Sequence, residues 1–265
     1  MNTVIIIQAR VGSSRLPGKT MLPLGEEPLL LRMIERVRAA KTSKTIVVAT
    51  TEEEADDQIS ELCITEGINI YRGHSTNLLD RHFKAALNYD PTIVVKIPSD
   101  CPLIDPGVID KVLDFYIMNM DKYDYVSNLH PASYPDGNDV EVMTFNTLYR
   151  TWLYAGKQFE LEHTTPYIWE NPDKFRIGNV EWETGMNYSM THRFTIDYIE
   201  DYMFIKAIYD ELYPTNPLFS MDDILYLLEK KPELMEINRK YTGVNWYREH
   251  LNELKTITPD QTKVL

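Results

Sequence analysis

The sequence predicts an α/β fold: a single domain with a mostly parallel, Rossmann-like sheet flanked by helices and a less regular C-terminal half. Three observations lead there. Short apolar, β-branched runs recur through the first half at residues 4–7, 45–49 and 92–97, as expected of strands buried on both faces. Segments with helical periodicity separate them, and alternation of strand and helix is the signature of βαβ units. No Gly/Ser/Pro-rich linker divides the 265 residues.

The elements follow in order. Residues 4–7 form the first strand and lead into a loop, residues 9–23, rich in Gly, Ser, Arg, Pro and Lys. Residues 29–40 place Leu30, Met33, Ile34 and Val37 on one face, with Arg32, Glu35, Arg36 and Arg38 between them, so an amphipathic helix is expected with the charges outward. The second strand is 45–49. An acidic-started helix spans 52–66, and a short strand 69–71 and a third helix 77–87 come next. The strand at 92–97 is stopped by Pro98, and the helix at 106–118 opens on proline, where a missing N–H costs nothing. Beyond it, strands are expected at 124–127, 139–145, 175–180 and 193–196, and helices at 147–155, 161–169, 198–212 and 221–229. The domain is expected to occupy residues 1–255, with 256–265 a flexible tail.

Composition excludes several classes. Lys+Arg is 27 and Asp+Glu 40, a formal net charge of −13, the wrong sign for a protein that grips nucleic acid by neutralising phosphates. No apolar run approaches the roughly 18–20 residues that cross a bilayer, and the short apolar start lacks the pattern of a secretion signal. The two cysteines, Cys63 and Cys101, form neither a disulfide framework nor a zinc spacing. A reduced, cytoplasmic setting is expected.

Chemistry is expected where the first strand ends. Ligands of open parallel sheets bind at the carboxyl ends of strands, and Gln8-Ala-Arg-Val-Gly-Ser-Ser-Arg-Leu-Pro-Gly-Lys19 lies at such an end. It concentrates Arg10, Arg15 and Lys19 in an otherwise acidic chain. Gly12 and Gly18 let backbone amides approach a ligand closely, so the loop reads as an anion pocket or as a solvated basic loop. Its intervals are not those of the G-x-x-x-x-G-K-[ST] phosphate loop.

That loop closely resembles the opening motif of the cytidylyltransferases that make CMP-activated sugars, in particular the SpsF-like subgroup of spore coat polysaccharide biosynthesis. Asp56-Asp57, Tyr71-Arg-Gly73, Leu78-Leu-Asp-Arg81, Ser99-Asp-Cys-Pro-Leu-Ile-Asp-Pro106, Tyr134-Pro-Asp-Gly-Asn-Asp-Val-Glu141, Glu160-Leu-Glu-His-Thr164 and Phe194-Thr-Ile-Asp197 resemble further landmarks in the same order. The resemblance implies a GT-A/nucleotidyltransferase-like fold and transfer of CMP from CTP to a sugar or sugar acid, or to a phosphorylated or phosphonate acceptor. Pyrophosphate is released, and the product serves cell-surface polysaccharide or glycoconjugate synthesis. It also implies a homodimer, with dimerisation and acceptor elements within 124–190.

Residue by residue, the resemblance implies catalytic roles for Arg10, Lys19 and Asp100. Ala9, Arg10, Gly12, Ser13, Ser14, Arg15, Lys19, Arg72, Asp80, Arg81 and Ser99 would lie around the nucleotide, and Asp100 and Asp197 would hold Mg²⁺. An Asp just past a buried strand end suits a hard cation that takes few carboxylates plus phosphate oxygens; capping of the next helix is the alternative, which suits Asp105 better. Asp197 reads as a metal ligand, a helix cap or both. Asp80 and Arg81 also read as a surface pair. Asp139 and Glu141 alternate on one strand face, either to bind acceptor hydroxyls or as an exposed polar face. Glu162 and His163 are further acceptor candidates; His163 beside acids is expected to titrate near neutrality, or the group caps a helix. A nucleotide-sugar-dependent glycosyltransferase is the rival reading, disfavoured because Pro98-Ser99-Asp100 lacks the Asp-x-Asp of that class. A non-catalytic nucleotide-binding domain is the third.

Overall fold

The computed structural model describes residues 1–42 and 44–264. As far as residue 118 the expected order of strands and helices is present, with one small ribbon added. β1 (Thr3–Gln8) is followed by a small antiparallel ribbon, β2 (Pro23–Leu24) with β3 (Glu27–Pro28), and by α1 (Leu29–Ala39). Then come β4 (Thr45–Thr51), α2 (Asp57–Thr65), β5 (Asn69–Gly73), α3 (Leu78–Leu87), β6 (Ile93–Pro98) and α4 (Pro106–Met118). The second half adds β7 (Tyr125–Ser127), β8 (Glu141–Thr144), α5 (Phe145–Tyr154), α6 (Gln158–His163), α7 (Pro166–Trp169), β9 (Ile177–Asn179), α8 (Ile199–Leu212) and α9 (Met221–Lys230).

Seven strands form one sheet in the order β5-β4-β1-β6-β8-β7-β9. β5, β4, β1 and β6 are parallel; β8 runs antiparallel to β6 and β7, and β9 is parallel to β7. Alternation along β1 divides the core. Ile5 and Ile7 join Met33 and Ile34 of α1 and Val108 of α4 on one face. Val4 and Ile6 join Leu79 and Phe83 of α3 and Phe159 of α6 on the other. The chain progresses outward from β1 in one direction to β4 and returns to its other side at β6, which makes the β1/β6 boundary the switch point where ligand crevices open. Gln8 pairs with Pro98 there, so the basic loop and Ser99-Asp100 leave the sheet side by side.

The structure corrects several expectations. Arg32 and Arg36 of α1 are buried rather than solvated, because the C-terminal part of the chain covers that helix: Arg36 donates from Nε to the Ile104 carbonyl (2.7 Å) and from Nη2 to that of Phe219 (2.8 Å). Residues 193–196 are not a strand. Arg193 makes a single bridge to Asp136, and Phe194 and Ile196 donate to the carbonyls of Asp136 and Asp100, so this stretch is stitched to loops. The helix expected over 161–169 is two, broken at Thr164 (φ 73°). The helix expected over 52–66 begins as a 3₁₀ turn, Glu54–Asp56. Finally, 256–264 is tied down rather than loose: the Glu170 carboxylate accepts from the amides of Lys255 (2.7 Å) and Thr256 (2.9 Å), Lys263 donates to the Gly243 carbonyl, and Ile257 is buried. Among the described residues no helix is long and apolar enough to cross a membrane.

Candidate active site

The basic loop is held by an internal carboxylate. Asp56, buried beneath it, accepts from the amide of Val11 at 2.6 Å and of Thr51 at 3.2 Å. The Val11 carbonyl in turn takes the amides of Ser13 and Gly18. Gly18 (φ 73°) then turns the chain into a 3₁₀ turn, Lys19–Met21, a left-handed conformation that suits glycine. Gly12 has an ordinary backbone, so it does not carry the conformational role expected of it.

This geometry aims Lys19 inward. Its Nζ donates to the Ile196 carbonyl at 2.6 Å, Asp100 Oδ2 at 3.1 Å and Asp197 Oδ1 at 3.3 Å. Burial works to lower the lysine pKa, but Asp100 and Asp197 outweigh it and hold it above 10.5. Arg15 reaches the same Asp197 oxygen at 2.7 Å. Asp197 itself is depressed: burial favours its neutral form, and Lys19, Arg15 and Arg193 together overcome that.

A cavity of about 550 Å³ opens over the loop. Ala9, Arg10, Ser13, Ser14, Arg15, Lys19, Arg81, Ser99 and Asp100 line it. Arg10 is exposed and has no ion-pair partner among the described residues. Arg81 is buried, donates to the His74 carbonyl at 2.9 Å, and is pushed down to about 10 by burial first and then by Arg10; it stays cationic at neutral pH. Three expected nucleotide residues lie outside this lining. Gly12 has only its backbone in the loop. Arg72 is turned to Asp57 (2.5 Å) and to the Thr51 and Glu53 carbonyls. Asp80 is engaged by Trp152 Nε1 (2.9 Å) and Lys84 (2.9 Å) on the far side of α3.

A second cavity, about 560 Å³, lies beyond Asp100. Gln8, Arg15, Asp100, His163 and Trp246 line both cavities and so form the wall between them. Asp136, Asp139, Glu141 and Asp197 give the second cavity its charge, against Lys96 and Arg193. Arg193, which sequence reasoning missed, organises this side. Its guanidinium is almost wholly buried and bonds Asp136 (3.3 Å), Asp197 (3.0 Å), Asp201 (2.9 Å) and the Val244 carbonyl (2.6 Å). Asp201 also accepts from the amides of Asp197 and Tyr198 at the start of α8. It therefore does the capping, which leaves one oxygen of Asp197 for Lys19 and Arg15. The i, i+4 spacing of Arg193, Asp197 and Asp201 was the available signal.

The acceptor candidates separate. Asp139 lines the second cavity; burial, reinforced by Asp100 and opposed by Lys96, pushes it up to about 6. It precedes β8 rather than sharing a strand face with Glu141. Glu141 is buried and committed to Lys96 and the Tyr125 hydroxyl (2.5 Å), so it shapes the cavity from below instead of forming an exposed polar face. Glu162 faces the first cavity, not the second. His163 lies between the two, stacked on Trp246 at 3.8 Å. Burial, with Lys96 and His250 adding to it, drives it down to about 3, so it stays neutral where titration was expected.

The donor set fits a hard cation of modest demands. Asp100 and Asp197, from the ends of distant segments, converge on one ammonium. Among the described residues no cluster of three or more His, Cys, Asp or Glu side chains forms a metal cage. Two carboxylates that leave room for water and phosphate oxygens match Mg²⁺.

A family model described as cytidylyltransferase matches residues 4–240. An uncharacterised protein of Methanocaldococcus jannaschii is 36% identical over 240 residues, 90% of this chain and 95% of that protein. The spore coat polysaccharide biosynthesis protein SpsF of Bacillus subtilis is 33% identical over 239 residues, 88% of this chain and 97% of its own. A solved cytidylyltransferase from Leptospira borgpetersenii, 34% identical, superposes with a TM-score of 0.83 over 89% of this chain and 97% of that one.

Proposed function

The chain belongs to the cytidylyltransferase family, and on that premise we propose that it transfers CMP from CTP to a hydroxyl of a sugar or sugar acid, for cell-surface polysaccharide synthesis. The observation that carries this reading is the shared wall. A cavity lined by the serines and cations of the basic loop meets a polar, carboxylate-lined cavity at Asp100 and Arg15. A triphosphate in the first and a polyhydroxyl acceptor in the second would meet there.

The acceptor oxygen attacks the α-phosphorus, the bond to the bridging oxygen breaks, and pyrophosphate leaves while the hydroxyl's proton passes to water. Such transfers are catalysed mainly by alignment and by neutralising charge on the phosphoryl oxygens. Arg10, Arg15 and Lys19 hold the triphosphate, with Ser13 and Ser14 beside them. Asp100 and Asp197 would hold Mg²⁺, which when bound would neutralise phosphate charge. No side-chain nucleophile takes part.

Thermal shift with CTP, UTP, GTP and ATP, each with and without Mg²⁺, tests the reading. At 100 times its dissociation constant a ligand adds about 2.7 kcal/mol of apparent stability, a rise of several degrees for a chain this size. A CTP-selective, Mg²⁺-dependent rise is expected, and the combined Lys19→Ala and Asp100→Ala variant should fold yet lose it. A rise with a nucleoside-diphosphate sugar and none with any triphosphate would replace this reading by glycosyl transfer.

A further inference from the structure

The residues after 240, beyond the family match, contribute to the wall of the second cavity. Asn245, Tyr247, Thr256, Thr258, Asp260 and Gln261 all line it. The segment is fastened along its length. Tyr241 stacks on Tyr198 at 3.8 Å, the Val244 carbonyl accepts from Arg193, Asn245 Nδ2 donates to the Gln261 carbonyl at 2.9 Å, and Glu170 holds Lys255 and Thr256. Between these anchors Trp246 covers His163 on the wall where the two cavities meet.

The chemistry of this wall is specific. The six residues contribute hydroxyl, amide and carboxylate groups and no cation. The cations that do line the cavity are already paired: Lys96 with Glu141, Arg193 with three aspartates, and Arg15 with Asp197. Tyr247 is a case in point. Its hydroxyl has no hydrogen-bond partner among the described residues and lies in the field of Glu141, Asp139 and Asp136. Groups of this kind recognise hydroxyls by hydrogen bonds, and a buried polar site rejects a ligand that leaves them unpaired.

We propose that this C-terminal strap, residues 244–261, is the specificity-determining part of the acceptor site, and that it selects a polyhydroxylated acceptor by hydrogen bonding rather than by charge. The proposal rests on the cytidylyl-transfer reading above. The basic loop of the nucleotide side lies within the family match; the strap borders that cavity too, through Trp246, Arg248, Glu249 and His250, but the residues it turns to the second cavity are the ones assigned here to the acceptor.

The test uses the full chain, the Tyr247→Phe and Asp260→Ala variants, and a chain ending at Lys255. Pyrophosphate release is measured with Mg²⁺ and CTP against a panel of aldoses, alditols, amino sugars and sugar acids, and CTP binding is measured by calorimetry. For Tyr247→Phe the acceptor KM should rise about three- to tenfold, the cost of one hydrogen bond, with CTP affinity unchanged. The shortened chain should lose at least tenfold and reorder its preference across the panel. If it does not fold, the two substitutions carry the test alone. Unchanged acceptor KM and ranking in the folded variants would overturn the proposal. So would a wild type that binds Mg²⁺-CTP but uses no member of the panel. A wild type that does not bind CTP overturns the cytidylyl-transfer reading instead.

Discussion

Lys19 shows how one side chain can serve two states of a site. Its ammonium lies between Asp100 and Asp197, where it neutralises two carboxylates that would otherwise repel each other at close range. Asp139 has no ion-pair partner among the described residues, and Lys96 only opposes its shift. Burial and the charge of Asp100 push it up to about 6 from an ordinary 3.8, so the folded chain binds this proton more tightly than the unfolded chain does. Between about pH 4 and 6 the folded state holds the greater share of the proton, and stability falls as the pH rises through that window and stays lower above it. At about 1.4 kcal/mol per pKa unit, discounted for the carboxyl's partial exposure, the cost is roughly 2 kcal/mol. The Asp139→Asn variant should therefore be more stable than wild type at pH 7.5 and should lose that advantage by pH 4. Thermal melts across this range check it; an advantage independent of pH would mean that the carboxyl is not the cause.

Among the elements, the turn at Gly137 shapes the second cavity. Its φ is 104°, and a Cβ there would lie 2.6 Å from the Phe194 backbone carbon. Two loops cross here, the one bearing Asp136 and Asp139 and the one leading to Asp197. Gly137→Ala should cost about 2 kcal/mol or more, since both backbone conformation and close approach oppose it, and should weaken Arg193's hold on Asp136. A melting temperature within a degree of wild type would contradict this crossing. The same crossing explains what the sequence left unread. β1, β4, β6 and the basic loop are legible because buried parallel strands are continuous apolar runs and because three cations stand out in an acidic chain. Residues 193–196 carry the alternation of a strand, but their partners are loops, and no local pattern encodes that. Arg72 and Asp80 sit in recognisable motifs yet face Asp57 and Trp152, since direction depends on which turn of the chain a side chain meets. Residues 244–261 lie beyond the family match, and no motif pointed to the cavity wall that they form.

Across the whole molecule, the proposed function predicts that the charge balance would make metal and nucleotide binding interdependent. The net charge is −13, and the acceptor side adds carboxylates close to where a triphosphate would lie, so nucleotide alone meets an unfavourable field. Mg²⁺ alone meets the opposite obstacle: Lys19 already occupies the two carboxylates it would use, and displacing a buried ammonium without a new partner is costly. CTP would supply that partner, because a phosphate can accept from Lys19 and so free Asp100 and Asp197, the residues that would hold Mg²⁺. Each ligand thus removes the other's penalty, and by linkage each must raise the other's affinity by the same factor. The expected outcome is a small thermal shift with Mg²⁺ alone, a small one with CTP in EDTA, and a shift with both that clearly exceeds their sum. Calorimetric titration of CTP at several Mg²⁺ concentrations measures the coupling, for which about five- to 150-fold is the usual range. Additive shifts would mean that Lys19 does not move between carboxylate and phosphate. The Lys19→Ala variant separates the two penalties: with the ammonium gone, Mg²⁺ alone should bind better than in wild type, while CTP loses both its cation and most of the coupling.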